Sequence, residues 1–161
     1  VERKQEVPEM YRRFDPEKFG HDKAMAQAVE FGPSAERHTL VLIGPARQGK
    51  SRLMWKVVQQ FFDDLQNLEG NQDWVDQIYF EELMVDFQRA AIDRVAQSRY
   101  CFIDNIGCVD SYGRERAQLQ SAIRTRVRDN RWTFLTIDNL QNFDPGLADI
   151  LKSRAKVIYI E

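Results

Sequence analysis

Cysteine, histidine and proline are scarce in this chain of 161 residues, with two, two and five copies. Two cysteines, Cys101 and Cys108, cannot supply the disulfide framework of a small secreted domain. They lack zinc-site spacing and have no histidine nearby, which argues against a zinc site. Cys101 lies within an apolar run and reads as core. His21 and His38 stand singly among polar residues and read as surface. No apolar run approaches the ~20 residues that span a bilayer, so no membrane partner is expected. No leader-peptide pattern is visible, and the expected location is cytoplasmic. An excess of either charge is missing too. The formal net charge is −2, so any contact with nucleic acid must come from a local patch. Internal repeats and low-complexity tracts are absent.

The remainder is that of an ordinary globular chain, 43% hydrophobic and 30% charged, with a length that suits one domain. Its organising stretch is Gly44-Pro45-Ala46-Arg47-Gln48-Gly49-Lys50-Ser51, which reads G-x-x-x-x-G-K-S. The run Thr39 to Ile43 before it suits a buried strand. After it, Leu53, Met54, Val57, Val58, Phe61, Phe62 and Leu65 recur at helical spacing. Strand, glycine loop and helix is the arrangement that cradles phosphates. The glycines let successive N–H groups converge, and the helix N-terminus adds partial positive charge. Lys50 is expected to reach the β- and γ-phosphates. Ser51 is expected to be one ligand of Mg²⁺, alongside phosphate oxygens and waters. Arg52 completes the predicted nucleotide-binding run, Gly44 to Arg52.

Strand and helix patterns alternate along the rest of the chain. Residues 1–37 read as a lead-in packed on a core domain of residues 38–161. It contains the aromatic and charged stretch Val7 to Phe14 and a helix from Asp22 to Phe31, ended by Gly32-Pro33. The helix after the P-loop is predicted to run to about Leu68. Strands are predicted at Gln77–Phe80, Tyr100–Ile103, Trp132–Ile137 and Val157–Ile160. Helices are predicted at Glu81–Ala96, Glu115–Arg128 and Pro145–Leu151. This alternation predicts an α/β fold with a parallel sheet covered on both faces.

Asp104 directly follows four largely apolar residues, the Walker B pattern. By itself such an acid is as well explained as a cap or turn. Some fifty residues after a P-loop it becomes a Mg²⁺ ligand, acting through water at the carboxyl edge of the sheet. The next residue is Asn105, where many P-loop ATPases carry an acid. An amide orients water but accepts no proton, so the sequence favours ATP binding over brisk hydrolysis. Beyond the fourth strand, Asp138 and Asn139 are both placed to contact a γ-phosphate or attacking water. A plain polar turn explains them equally well.

In this order the motifs Gly44-Pro45…Gly49-Lys50-Ser51, Phe102-Ile103-Asp104-Asn105-Ile106-Gly107, Thr136-Ile137-Asp138-Asn139-Leu140 and Ser153-Arg154 resemble the AAA+ domain of DnaC/DnaI-type helicase loaders. They are also similar to IstB-type transposition helper ATPases. The resemblance covers nearly the whole chain, including the lead-in around Pro8 to Tyr11. It implies a P-loop NTPase fold with five parallel strands in the order 5-1-4-3-2 and no C-terminal lid. It implies that Lys50 and Asp104 serve the phosphates and metal of ATP or ADP with Mg²⁺. Asn139 becomes the sensor, and Arg154 the finger offered to a neighbouring subunit of a nucleotide-dependent homo-oligomer. A replicative helicase or transposase-like protein becomes the partner. The chain departs from the family pattern at Arg47-Gln48, where Gly-Thr is usual, and at Asn105. One extra residue in Thr136–Asn139 leaves the sensor register open between Asp138 and Asn139.

Six arginines crowd one predicted helix and its ends: Arg114, Arg116, Arg124, Arg126, Arg128 and Arg131. Arg124, Arg128 and Arg131 share a face at helical spacing. Two readings stand side by side, a contact surface for single-stranded DNA and a solvated helix face. For the whole chain, the reading is an ATP-binding AAA+ module of slow ATPase activity, with Asn105 limiting turnover. Its rivals are a small-molecule phosphotransferase and a nucleotide-binding adaptor without turnover.

Overall fold

The computed structural model describes residues 22–45, 49–69, 78–82, 89–106 and 114–160. In chain order these form α1 (Asp22–Val29), β1 (Thr39–Ile43), α2 (Lys50–Glu69), β2 (Ile78–Glu82), α3 (Arg89–Gln97) and β3 (Tyr100–Ile106). Then come α4 (Arg114–Arg128), β4 (Trp132–Ile137), a 3₁₀ turn (Leu140–Asn142), α5 (Pro145–Arg154) and β5 (Lys156–Tyr159). The stretch around Val7 to Phe14 lies outside the described residues, as do His21 and Cys108.

The strands form one sheet in the order β2-β3-β4-β1-β5, which is 5-1-4-3-2 read from the other edge. All four neighbouring pairs are parallel. Strand residues alternate between the two faces, so each strand feeds two cores. On one face Leu40, Leu42, Tyr100, Phe102, Phe134 and Ile158 meet α1 and α2. On the other, Val41, Ile43, Cys101, Ile103, Leu135 and Ile137 meet α3, α4 and α5. The first core is aromatic. Phe61 of α2 packs edge-on against Trp132 and Phe134, with centroids 4.9 and 5.4 Å apart. Burying one such ring contributes about 2–3 kcal/mol. Ala24, Ala28 and Phe31 join this core, and Lys156 Nζ of β5 donates to Gln27 O at 2.6 Å. That seats residues 22–37 against the sheet. No described helix is long and apolar enough to cross a membrane.

Two predicted boundaries move. Glu81 and Glu82, predicted as helix, extend β2 because the ladder continues opposite Ile103 and Asp104 of β3. β3 itself runs past Asp104 to Ile106, with an irregularity in its pairing to β4. Ile103 opposes Leu135 and Ile106 opposes Ile137, three residues against two. The extra residue marks a bulge at Asp104–Asn105. It returns Ile106 to the core face that already holds Ile103. His38, read as a surface residue, stacks on Trp132 with centroids 3.9 Å apart, and its Nδ1 lies 2.7 Å from Asn130 O.

Candidate functional site

β1 delivers the chain to the glycine loop, the candidate phosphate site, at the carboxyl edge of the sheet. Gly44 N donates to Ile137 O at 3.2 Å, and Ile160 N donates to Ile43 O at 2.7 Å. The loop therefore leaves from a slot between β4 and the end of β5. A Cβ on Gly44 would lie 2.4 Å from Ile160 O, so only glycine fits there. At the far end of the loop Gly49 adopts φ 79°, a left-handed turn that glycine enters without strain. Its carbonyl then accepts from Leu53 N at 3.0 Å and opens α2. Ala46, Arg47 and Gln48 lie outside the described residues. Arg52 is half-buried on the first turn of α2.

Lys50 heads α2 and is only 5% exposed. Its ammonium donates to Gly44 O at 2.5 Å and Pro45 O at 2.7 Å, and pairs with Asp138 Oδ1 at 3.3 Å. An ammonium has three protons, and each of these acceptors takes one. Ser51, next along, donates to Asp104 Oδ1 at 2.8 Å. Thr136 of β4 donates to the same oxygen in a short hydrogen bond. Asp104 is fully buried. A buried carboxylate needs such donors, since burying a charge without partners is costly.

Strand parity explains why these side chains meet. Tyr100 and Phe102 of β3 face α2, and Asp104 is next in that row. Trp132 and Phe134 of β4 face the same way, followed by Thr136 and Asp138. The parity of β4 thus separates Asp138 from Asn139. Asp138 reaches Lys50 from the end of the strand. Asn139 is exposed, and its side-chain oxygen accepts from Gln141 N at 2.9 Å as the cap of the 3₁₀ turn. Counting faces back from Phe134 is the signal that separates the two. Thr136 belongs to the site by the same count, though its residue type alone did not mark it. The side chain of Asn105 lies outside the described residues, although its backbone is in β3.

Ser51 and Asp104 are oxygen ligands of the kind that Mg²⁺ takes, and they already converge. No cluster of three or more His, Cys, Asp or Glu able to hold a metal occurs among the described residues. A P-loop cation needs none, because phosphates and water complete its shell.

Arg154 is exposed at the end of α5. β5 starts opposite the beginning of β1, with Lys156 paired to Leu40. Arg154 therefore sits at the amino edge of the sheet, the end opposite its own phosphate loop. The arginine-rich helix is engaged within the fold. Arg124 Nη2 pairs with Asp144 Oδ1 at 2.9 Å, and that oxygen also caps α5 by accepting from Leu147 N. Arg131 donates to Gln97 O at 2.8 Å, at the C-terminus of α3. Of the predicted DNA-facing trio, Arg128 is exposed, while Arg124 and Arg131 are half-buried.

Arg126 was not separable by sequence from its neighbours. It is completely buried. Its guanidinium donates to Val95 O at 2.7 Å, Ser98 O at 2.5 Å, Trp132 O at 2.7 Å and the Thr133 hydroxyl at 3.0 Å. Burial lowers its pKa from the ordinary value. Carbonyls at the C-terminal end of α3 offset that cost, since the negative end of a helix dipole favours a cation.

A scan against protein-family models finds no match, and a search of curated proteins finds none. Solved structures do match. The crystal structure of the DnaC helicase loader superposes with a TM-score of 0.69 at 13% identity, over 96% of this chain and all of that one. The crystal structure of DnaI gives 0.62 at 15% identity, over 96% of this chain and 92% of that one. Domain III of the replication initiation protein DnaA from Thermotoga maritima gives 0.64 at 11% identity, over 98% and 69% of the two chains. At such identities the likeness is one of fold, shared with the solved structures of the DnaC helicase loader, DnaI and DnaA domain III.

Proposed function

We propose that this chain is an ATP-binding AAA+ module of DNA replication, acting as a helicase loader or in a closely related transaction. The observation that carries the reading is the convergence of Lys50, Ser51, Asp104, Thr136 and Asp138 beside a glycine loop at the head of α2. Lys50 binds the β- and γ-phosphates. Ser51 and Asp104 hold Mg²⁺, which neutralises phosphate charge when bound. Asp138 stands at the sensor position, and Asn139 shapes the turn behind it. DnaA has been solved with AMPPCP and single-stranded DNA, at 13% identity and a TM-score of 0.57, which supports nucleotide and DNA chemistry on this fold.

Arg154 sits at the sheet edge opposite its own loop, which supports a role for it at the site of another copy. ATP then gates assembly, with a helicase or transposase-like protein as partner. The adaptor reading, nucleotide binding without turnover, rests on Asn105. Titration with a fluorescent ATP analogue and Mg²⁺ tests the site. Lys50→Ala should weaken binding by about 2–3 kcal/mol through loss of a charge-assisted contact. Equal affinity in wild type and variant removes the assignment.

A further inference from the structure

We infer that the amino edge of the sheet, opposite the glycine loop, binds the sugar-phosphate backbone of a nucleic acid single strand along a row of three arginines, Arg99, Arg131 and Arg37. The row follows from strand register. Tyr100 of β3 pairs with Trp132 of β4, and Thr39 of β1 pairs with Thr133. One step ahead of β3 and β4 stand Arg99 and Arg131, and two steps ahead of β1 stands Arg37, level with Arg131. Neighbouring strands lie ~4.8 Å apart, so the row spans about 10 Å. Arg37 and Arg99 are exposed, and Arg131 is half-buried.

Neutral groups hold these guanidiniums in place. Arg131 Nη1 donates to Gln97 O at 2.8 Å, at the end of α3, and Arg37 Nη1 to Ala155 O at 2.9 Å, at the end of α5. Arg99 lies over the Tyr100 ring, 5.3 Å from its centroid. A carbonyl engages one of the five N–H groups of a guanidinium and cancels none of its charge. Among the described residues no carboxylate pairs with any of the three. Glu36 and Asp129, the acids in the same stretches, are exposed. Like charges side by side on neighbouring strands are destabilising, and an anion laid across them removes that cost. The ligand that fits carries regular anions along a chain. A single nucleic acid strand does so, with about three phosphates over this length at ~3.4 Å per nucleotide. It adjusts the spacing of its phosphates to that of the strands, whereas a duplex keeps its own. Arg128, Lys152 and Arg154, in the last turns of α4 and α5, add positive charge at the same edge. His38 stacks on Trp132 beside the row, so that face of the indole is taken, and the contact is one of charge without preference for base. This edge is remote from Lys50, so the binding does not depend on the nucleotide site.

The experiment is fluorescence anisotropy of a labelled oligothymidine of about twenty nucleotides, titrated with the whole chain over a series of salt concentrations. Wild type is compared with Arg37→Gln/Arg99→Gln and with Lys23→Gln/Arg116→Gln, which removes two exposed cations off the row. The row variant should bind at least about tenfold more weakly at low salt, and its salt slope should shrink by about 1.4, or ~0.7 per lost phosphate contact. The control pair should keep the wild-type slope, and a duplex of the same length should bind wild type more weakly than the single strand. Absence of wild-type binding at low salt overturns the inference, as does an equal loss in the control pair or a duplex bound as tightly. Displacement of the oligonucleotide by polyglutamate at equal charge overturns it in favour of an acidic protein partner. A row variant that changes only the oligomeric state in light scattering assigns the row to a second copy and overturns it too. If the row variant does not fold, Arg99→Gln alone decides: a folded single variant with the wild-type slope and affinity overturns the inference, and a reduced slope supports it.

Discussion

The hydroxyl of Thr136 on β4 donates to Oδ1 of Asp104 on β3, the same oxygen that Ser51 reaches from α2 at 2.8 Å. One carboxylate oxygen therefore ties two neighbouring strands to α2. Thr136→Val keeps the shape and removes the donor. Hydrogen bonds to charged groups contribute about 1.5–3 kcal/mol, so denaturant unfolding should show a loss of that order. A variant as stable as wild type would mean that Asp104 is held by other donors.

Asn105→Glu tests turnover. General-base assistance contributes about 10²–10⁴-fold, while phosphoryl transfer depends more on position and electrostatics than on base strength. Wild type is expected to release phosphate slowly, and the variant at least about tenfold faster with ATP affinity nearly unchanged. Steady-state phosphate release, with and without single-stranded DNA, measures both. Brisk wild-type hydrolysis that the variant does not raise would shift the role to another acid, such as Asp110, which lies outside the described residues, or Asp138.

Arg126→Met should be among the most damaging substitutions outside the site. It leaves Val95 O, Ser98 O and Trp132 O without the donor they now share. A loss of about 3 kcal/mol or more is expected, read as a lowered denaturation midpoint. Burial puts the folded-state pKa of Arg126 below its unfolded value. Proton release at high pH therefore favours the fold, and stability rises only where the pH passes the folded-state value. Near neutrality the guanidinium stays charged, so the cost of the variant should not vary with pH there.

Arg154→Ala should leave nucleotide affinity of the single chain unchanged and abolish any ATP-dependent oligomer. Light scattering with a non-hydrolysable analogue reads the assembly. An oligomer that forms equally well in the variant assigns the contact to other residues.

Periodicity and glycine placement made the strands, the loop and its helix legible, because those signals are local. Residue type alone pointed to Lys50, Ser51 and Asp104 as candidates for the site. It said less where position decides. Asp138 and Asn139 are adjacent and both polar, and only the face set by Phe134 separates them. Arg124, Arg126 and Arg131 look alike in sequence. One pairs with a helix-capping aspartate, one is buried whole, and one closes the end of α3. Those fates depend on neighbours distant in the chain, which spacing along one helix does not contain. The helix predicted from Glu81 starts too early, since Glu81 and Glu82 belong to β2, because its apolar spacing says nothing of the β3 ladder beside it.

The bulge in β3 means that this strand is read in two frames. Up to Ile103, odd-numbered residues point toward α3, α4 and α5; past the joint, an even-numbered one, Ile106, does so. A regular ladder of the same length through the joint, without the bulge, would turn Ile106 toward the aromatic layer, where Phe102 and Trp55 already pack 5.0 Å apart. Asn105 sits in the joint. The phase of the strand past this point depends on the backbone bulge. A regular Walker B strand grafted here residue for residue would supply the acid but lose the phase.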